Sequence, residues 1–78
     1  MVQTTEQVPT PETIEALKKR IKRLNSKAGQ MKMDLHDLVE ALPTDYQKLP
    51  AESAKTYEIY CELVELKQQL KTWEKQLQ

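Results

Sequence analysis

The chain contains one histidine, His36, and its surroundings are the residues best placed to do chemistry. It lies in Asp34-Leu35-His36-Asp37, with Glu40 four residues on. On a helix, positions i and i+4 share a face, so His36 and Glu40 stack one turn apart. Asp37 is adjacent in sequence and points about 100° away around the helix. An imidazole with a carboxylate one turn away can bind a transition metal such as Ni, Zn or Fe. One imidazole per chain does not make a metal centre. A symmetric oligomer would multiply it, with Glu40 and Asp37 as supporting carboxylates. The alternative is a solvated surface histidine.

Other reactive side chains lead less far. Cys61 is the sole cysteine, with Glu58, Glu62 and Glu65 nearby and no adjacent cation to stabilise a thiolate. It reads as a packed core or boundary cysteine. Lys18, Lys19, Arg20, Lys22 and Arg23 put five cations in six positions, with Ile21 between them. Such a run can bind phosphate, but no aromatic side chains interleave it and no readout motif accompanies it, so RNA binding is a distant third reading. No nucleophile–base pair, glycine-rich phosphate loop or CxxC motif is present, and an enzyme is not expected. No catalytic or cofactor-binding residue is assigned.

The elements that must position these groups are helices. Ile14, Leu17, Ile21, Leu24, Ala28, Met31, Leu35, Leu38 and Leu42 follow a strict 3,4,3,4 spacing. That spacing lays one apolar stripe along a long helix, which another helix must cover. Thr10 before Pro11 supplies an N-cap and a proline at the first helical position. Pro43 disfavours a helical residue before it, so the first helix is expected over about 11–42. The connection spans 43–50, and Thr44 to Gln47 fits a capping box around one helical turn. The second helix is expected over about 51–77. Its seam is Ile59, Leu63, Leu66, Leu70, Trp73 and Leu77, with Ala54, Tyr57, Cys61 and Val64 beside it. Tyr57, Tyr60 and Trp73 read as packing residues. A short connection makes the two helices antiparallel neighbours.

The expected fold is therefore all-α: a two-helix antiparallel hairpin over 11–78, preceded by a disordered tail over 1–10. Two helices cover only one side of each seam, so the hairpin is expected to dimerise into a four-helix bundle, or to assemble further. The dimer seam would include Ile14, Leu17, Ile21, Leu24, Ala28, Met31, Leu35 and Leu38 from the first helix. Leu63, Leu66, Leu70 and Trp73 would come from the second. The first helix starts basic and ends acidic, at Asp34, Asp37 and Glu40. An antiparallel pairing of this helix with its own copy would match basic starts to acidic ends, crossing near Ala28 and Gly29.

Composition limits the partners. Twelve Lys and Arg balance twelve Asp and Glu over 78 residues, so no bulk field recruits nucleic acid or an anionic membrane. No run approaches the ~20 apolar residues of a membrane span. Residues 1–9 lack the apolar core of a signal peptide, and a single cysteine permits no intrachain disulfide. A cytoplasmic protein is expected.

The segment from Ala28 to Leu38, with Glu40, Leu42-Pro43-Thr44 and Ala54-Lys55-Thr56-Tyr57-Glu58, resembles a family of small Rop-like proteins encoded within bacterial nitrogen-fixation gene clusters. The resemblance covers about residues 14–70. It implies a dimerising helical hairpin and a role near nitrogenase maturation or support. Some relatives are described as metalloproteins, and an implied metal would fall on His36. A metal-free adaptor for nitrogenase assembly factors, contacting them through the acidic helix-turn region, is the alternative implied role.

Overall fold

The structure, a computed structural model, describes residues 9–77. Most of the tail expected over 1–10 lies outside the described residues. Two long helices, α1 (Pro11–Glu40) and α2 (Leu49–Leu77), are joined by a turn that contains a short 3₁₀ segment, Tyr46–Lys48. No strand occurs among the described residues.

The start of α1 is closed by reciprocal hydrogen bonds. The Thr13 N–H donates to the Thr10 hydroxyl at 3.1 Å, and the Thr10 N–H donates to the Thr13 hydroxyl at 2.8 Å. Thr13 thus takes the place usually filled by Glu or Gln in a capping box. Pro11 has no N–H to leave unpaired at the first helical position.

The far end of α1 departs from expectation by two residues. It stops at Glu40, not Leu42. Pro43 excludes Leu42 from the helical region, and the last turn tightens before it. The Ala41 N–H is shared between the Asp37 and Leu38 carbonyls, at 3.1 and 3.2 Å, and the Leu42 N–H donates to the Val39 carbonyl at 3.2 Å. Leu42 therefore leaves the stripe and is exposed. In the turn, Asp45 adopts the left-handed conformation at φ 57°, which Asp tolerates better than most residues. No side chain caps the 3₁₀ segment, so the capping box expected from Thr44 does not form. The 3₁₀ segment runs directly into α2, which accordingly begins at Leu49 instead of Ala51, with Pro50 in its first turn.

The helices pack antiparallel as a single layer, with overall extents of 51 × 26 × 15 Å. Ala28 is fully buried against Ile59 and Leu63, and Ile21, Leu24, Met31 and Tyr60 pack around them. Ile14, Leu17 and Leu66 are also buried. The smallest seam residue thus marks the middle of the hairpin, where its own two helices meet. Gly29 is different: a Cβ added there would meet nothing within 4 Å.

A single layer has no second layer to cover its faces. Ile21, Leu24, Met31, Leu35, Leu38, Leu70 and Trp73 remain only partly buried. Leu77, at the end of the α2 seam, is exposed. The second stripe of α2 is uncovered as well: Tyr57 is 71% exposed and Val64 54%, and Cys61 is exposed rather than packed. These three point away from α1, about 100° to 160° around the helix from Leu63.

Candidate functional site

His36 sits one turn before the end of α1, on its outer surface. The imidazole Nε2 is 3.6 Å from a Glu40 carboxylate oxygen, and Nδ1 is 3.8 Å from an Asp37 carboxylate oxygen. All three side chains are about two-thirds exposed or more. The geometry follows from the helix: the i,i+4 spacing carries the Glu40 carboxylate back toward the imidazole, while Asp37 reaches around from the next position. A loose arrangement of one imidazole and two carboxylates is brought together on one surface. Among the described residues no group of three or more His, Cys, Asp or Glu side chains is arranged to hold a metal within one chain.

Neighbouring side chains give the site its surroundings. Asp34 accepts a hydrogen bond from the Gln30 amide at 3.0 Å. Met33 (60% exposed), Val39 and Tyr46 lie exposed close by in sequence. The end of α1 therefore presents carboxylates and apolar side chains together.

The basic run is partly neutralised from across the hairpin. Arg20 donates to a Glu62 carboxylate oxygen at 2.7 Å, and the Lys18 ammonium lies 3.6 Å from a Glu74 carboxylate. These pairs join the start of α1 to α2 and reduce the positive field available to a phosphate backbone. Cys61 and Tyr57 are one turn apart on the open side of α2. A hydrogen bond with the Cys61 side chain, and then the charge of its thiolate, raise the Tyr57 phenol above its ordinary pKa of 10.0.

Two grooves run along one face between the helices. The first, of about 390 Å³, has an apolar floor of Leu24, Met31 and Ile59, edged by Lys27, Lys55, Glu58 and Glu62. The second, of about 270 Å³, continues it toward the chain ends with Leu17, Leu66 and Trp73. The seam pattern pointed to the floor residues. The charged edges fall at the same helical period and emerge only from the register between the helices.

These features define a helical hairpin with partly uncovered apolar grooves and an exposed histidine–carboxylate cluster, and with no helix among the described residues long and apolar enough to cross a membrane. The Rop-like family matches residues 12–75, and the chain belongs to that family. It is 69% identical over 64 residues to a UPF0437 protein of Trichormus variabilis, covering 82% of this chain and 74% of that one. It is 35% identical over 68 residues to a Frankia alni relative described as a UPF0437 protein in the nifX-nifW intergenic region, covering 76% of this chain and 83% of that one. A crystal structure of a DUF683-family protein from the cyanobacterium Cyanothece 51142 superposes with a TM-score of 0.84 at 61% identity, covering 86% of this chain and 94% of the other.

Proposed function

We propose that this chain is a non-enzymatic, self-associating hairpin that serves nitrogen fixation and binds a transition-metal ion through His36, at a site completed by symmetry-related copies. The observation that carries this reading is the 3.6 Å separation of His36 Nε2 and the Glu40 carboxylate on an exposed helix face. Two ligands on one tetrahedral ion with bonds of about 2.0–2.1 Å lie roughly 3.3 Å apart. The pair is thus a half-site that needs little rearrangement, with a second or third copy supplying the remaining donors. The relative from the nifX-nifW intergenic region supports the nitrogen-fixation context. Ni, Zn and Fe all accept mixed imidazole and carboxylate ligands. Metal transport, sensing or assembly would each fit a site formed only between copies.

The test is calorimetric titration of tag-free protein with Ni²⁺, Zn²⁺, Fe²⁺ and Fe³⁺, with light scattering in parallel, on the parent and His36→Ala. The expected result is less than one ion per chain, a mass increase on binding, and loss of both in the variant. Equal binding by parent and variant, or binding by neither, would overturn the metal reading.

A second reading is a metal-free adaptor for nitrogenase assembly factors. It is favoured by Met33, Val39 and Tyr46, which are exposed near Asp34, Asp37 and Glu40. Exposed apolar side chains close in sequence to carboxylates fit a protein partner with apolar and basic side chains. Retention of a nitrogenase-associated protein by His36→Ala, lost in Met33→Asp, would support it. Equal retention by Met33→Asp would count against it.

A further inference from the structure

The two grooves do not exhaust the apolar surface of the hairpin. Two clefts of about 390 Å³ each lie along the outer face of α2 and share Val64. One is bounded by Tyr57, Tyr60, Cys61 and Val64, with Glu65 at its rim. The other continues toward the chain end past Leu70, beside Lys67 and Lys71, with Glu74 at its rim. Tyr57 and Val64 lie about 100–120° around α2 from Leu63, whereas Ile59, Leu66 and Trp73 turn the other way, into the grooves. Whatever covers the grooves therefore leaves this strip exposed.

The strip is divided by chemistry. Toward the turn it is apolar: Tyr57 is 71% exposed and Val64 54%. Toward the chain end it is basic. Lys67 and Lys71 stand one turn apart, and among the described residues no carboxylate lies within ion-pairing distance of either. Glu74 is engaged by Lys18. Like charges at i and i+4 disfavour a helix, and carboxylates brought by a partner would relieve that repulsion. An apolar patch beside uncompensated cations is complementary to apolar side chains beside carboxylates. The outer face of a helix offers no free backbone donors or acceptors, so an extended segment lying on it would leave its own N–H and C=O groups unpaired against the apolar cleft. A helix satisfies its backbone internally and presents side chains at a matching period. Tyr57 to Glu74 spans roughly 26 Å, the length of a helix of about 17 residues.

We propose that the outer face of α2 docks an acidic amphipathic helix of a partner protein, whose apolar side chains fill the cleft at Tyr57, Tyr60 and Val64 and whose carboxylates pair with Lys67 and Lys71. Glu65, at the rim of the apolar half, confines the partner's carboxylates to the lysine half and so sets the register. A phosphate chain fits less well. It carries no apolar side chains for the cleft, and Glu65 and Glu74 border the strip on which it would lie. The surface is on the other helix from His36, and its basic half is opposite in charge to the acidic end of α1. The inference therefore rests on neither of the readings above.

The probe is a fluorescein-labelled synthetic helix with leucines along one half of its stripe and glutamates along the other. The controls are the same peptide with lysines for glutamates, and a single-stranded RNA. Anisotropy titration of the full chain should show saturable binding of the glutamate peptide and of neither control. Lys67→Glu/Lys71→Glu and Val64→Asp should each weaken it by about tenfold, and the double lysine variant should instead gain binding of the lysine peptide. All three positions are exposed, and circular dichroism should show the parent's helix content in both variants. Cys61 is the sole cysteine and is exposed, so alkylation of its thiol should slow when the glutamate peptide is bound. His36→Ala should bind the peptide as the parent does, whatever its metal titration shows. No binding by the parent, or equal binding by the parent and both variants, would overturn the proposal. Preferential binding of the RNA, lost in the double lysine variant, would overturn it and assign the strip to nucleic acid. Protection of Cys61 that rises with protein concentration alone, with a mass that falls in Val64→Asp, would overturn it and assign the strip to a second copy.

Discussion

Ala28 and Gly29 are adjacent small residues with opposite surroundings, and exchanging each for a larger one should move stability in opposite directions. Ala28 is fully buried between the helices. Ala28→Leu inserts three carbons where α1 meets Ile59 and Leu63, and overpacking of that kind costs about 1–3 kcal/mol. Gly29 lies inside α1, and an added Cβ there meets nothing within 4 Å. Gly29→Ala should therefore recover most of the helix-propensity deficit of glycine, about 1 kcal/mol. The assay is urea unfolding followed by circular dichroism at 222 nm, at one fixed protein concentration so that association contributes equally. With a slope of roughly 1 kcal/mol/M for a chain this small, the midpoint should rise by about 1 M for Gly29→Ala. It should fall by 1 M or more for Ala28→Leu. A neutral or destabilising Gly29→Ala would refute the reasoning, because it would mean that another surface already occupies the space beside Gly29. Gly29→Leu extends the test to assembly. Copies crossing at Gly29 would be driven apart.

Leu63 is 2% exposed, and Leu63→Ala should destabilise the chain by about 2–5 kcal/mol, read from the same unfolding curves. Arg20→Ala should cost under about 1 kcal/mol despite the 2.7 Å contact with Glu62, because both side chains are about half exposed. Asp45 holds a φ of 57°, so Asp45→Gly should be neutral or mildly stabilising, and Asp45→Val should cost about 1–2 kcal/mol in thermal or urea unfolding. The Tyr57 phenol is raised, so in an absorbance titration at 295 nm one tyrosine should ionise above pH 10.0 and shift back down in Cys61→Ala. A raised folded value favours the protonated native form, so the small stability linked to Tyr57 is present at neutral pH and lost as pH climbs through its folded pKa.

The helical hairpin was legible because its signals agree. A cap at Thr10, a period of 3.5 from Ile14 to Leu38, and proline at 43 and 50 all specify two helices and one turn. The errors fell where two signals competed. Leu42 has the right spacing for the seam but precedes Pro43, and the backbone restriction prevailed over the periodicity. Thr44 has the spacing of a capping box, but the left-handed Asp45 changes the chain direction before a side-chain cap can form. Tyr57 and Cys61 were expected to pack because they are apolar and follow a helical period. Period alone does not say how wide a stripe one neighbour can cover. A single helix seats residues within about 50° of its contact line, and these two lie well beyond it.

The candidate sites were legible only in part, because spacing along one helix says nothing of what stands opposite it. His36 and Glu40 could be placed on one face from their spacing, since the helix alone determines it. Whether they hold a metal depends on what stands opposite, which no pattern local to the helix specifies. The charges along the grooves show how such information is held in a sequence without being readable there. Lys27, Asp34, Lys55 and Glu62 look like ordinary solvated positions when each helix is read alone. Their complementarity appears only after Ala28 fixes the register at Ile59 and Leu63, because a shift of one helical turn would set Lys27 opposite Glu58 or Leu66 and Asp34 opposite Ala51 or Ile59. A small residue in the core thus determines which charges stand at one level across the groove. A variant that slid the register, with every surface charge retained, would be expected to lose this alignment of charges along with the packing at Ala28.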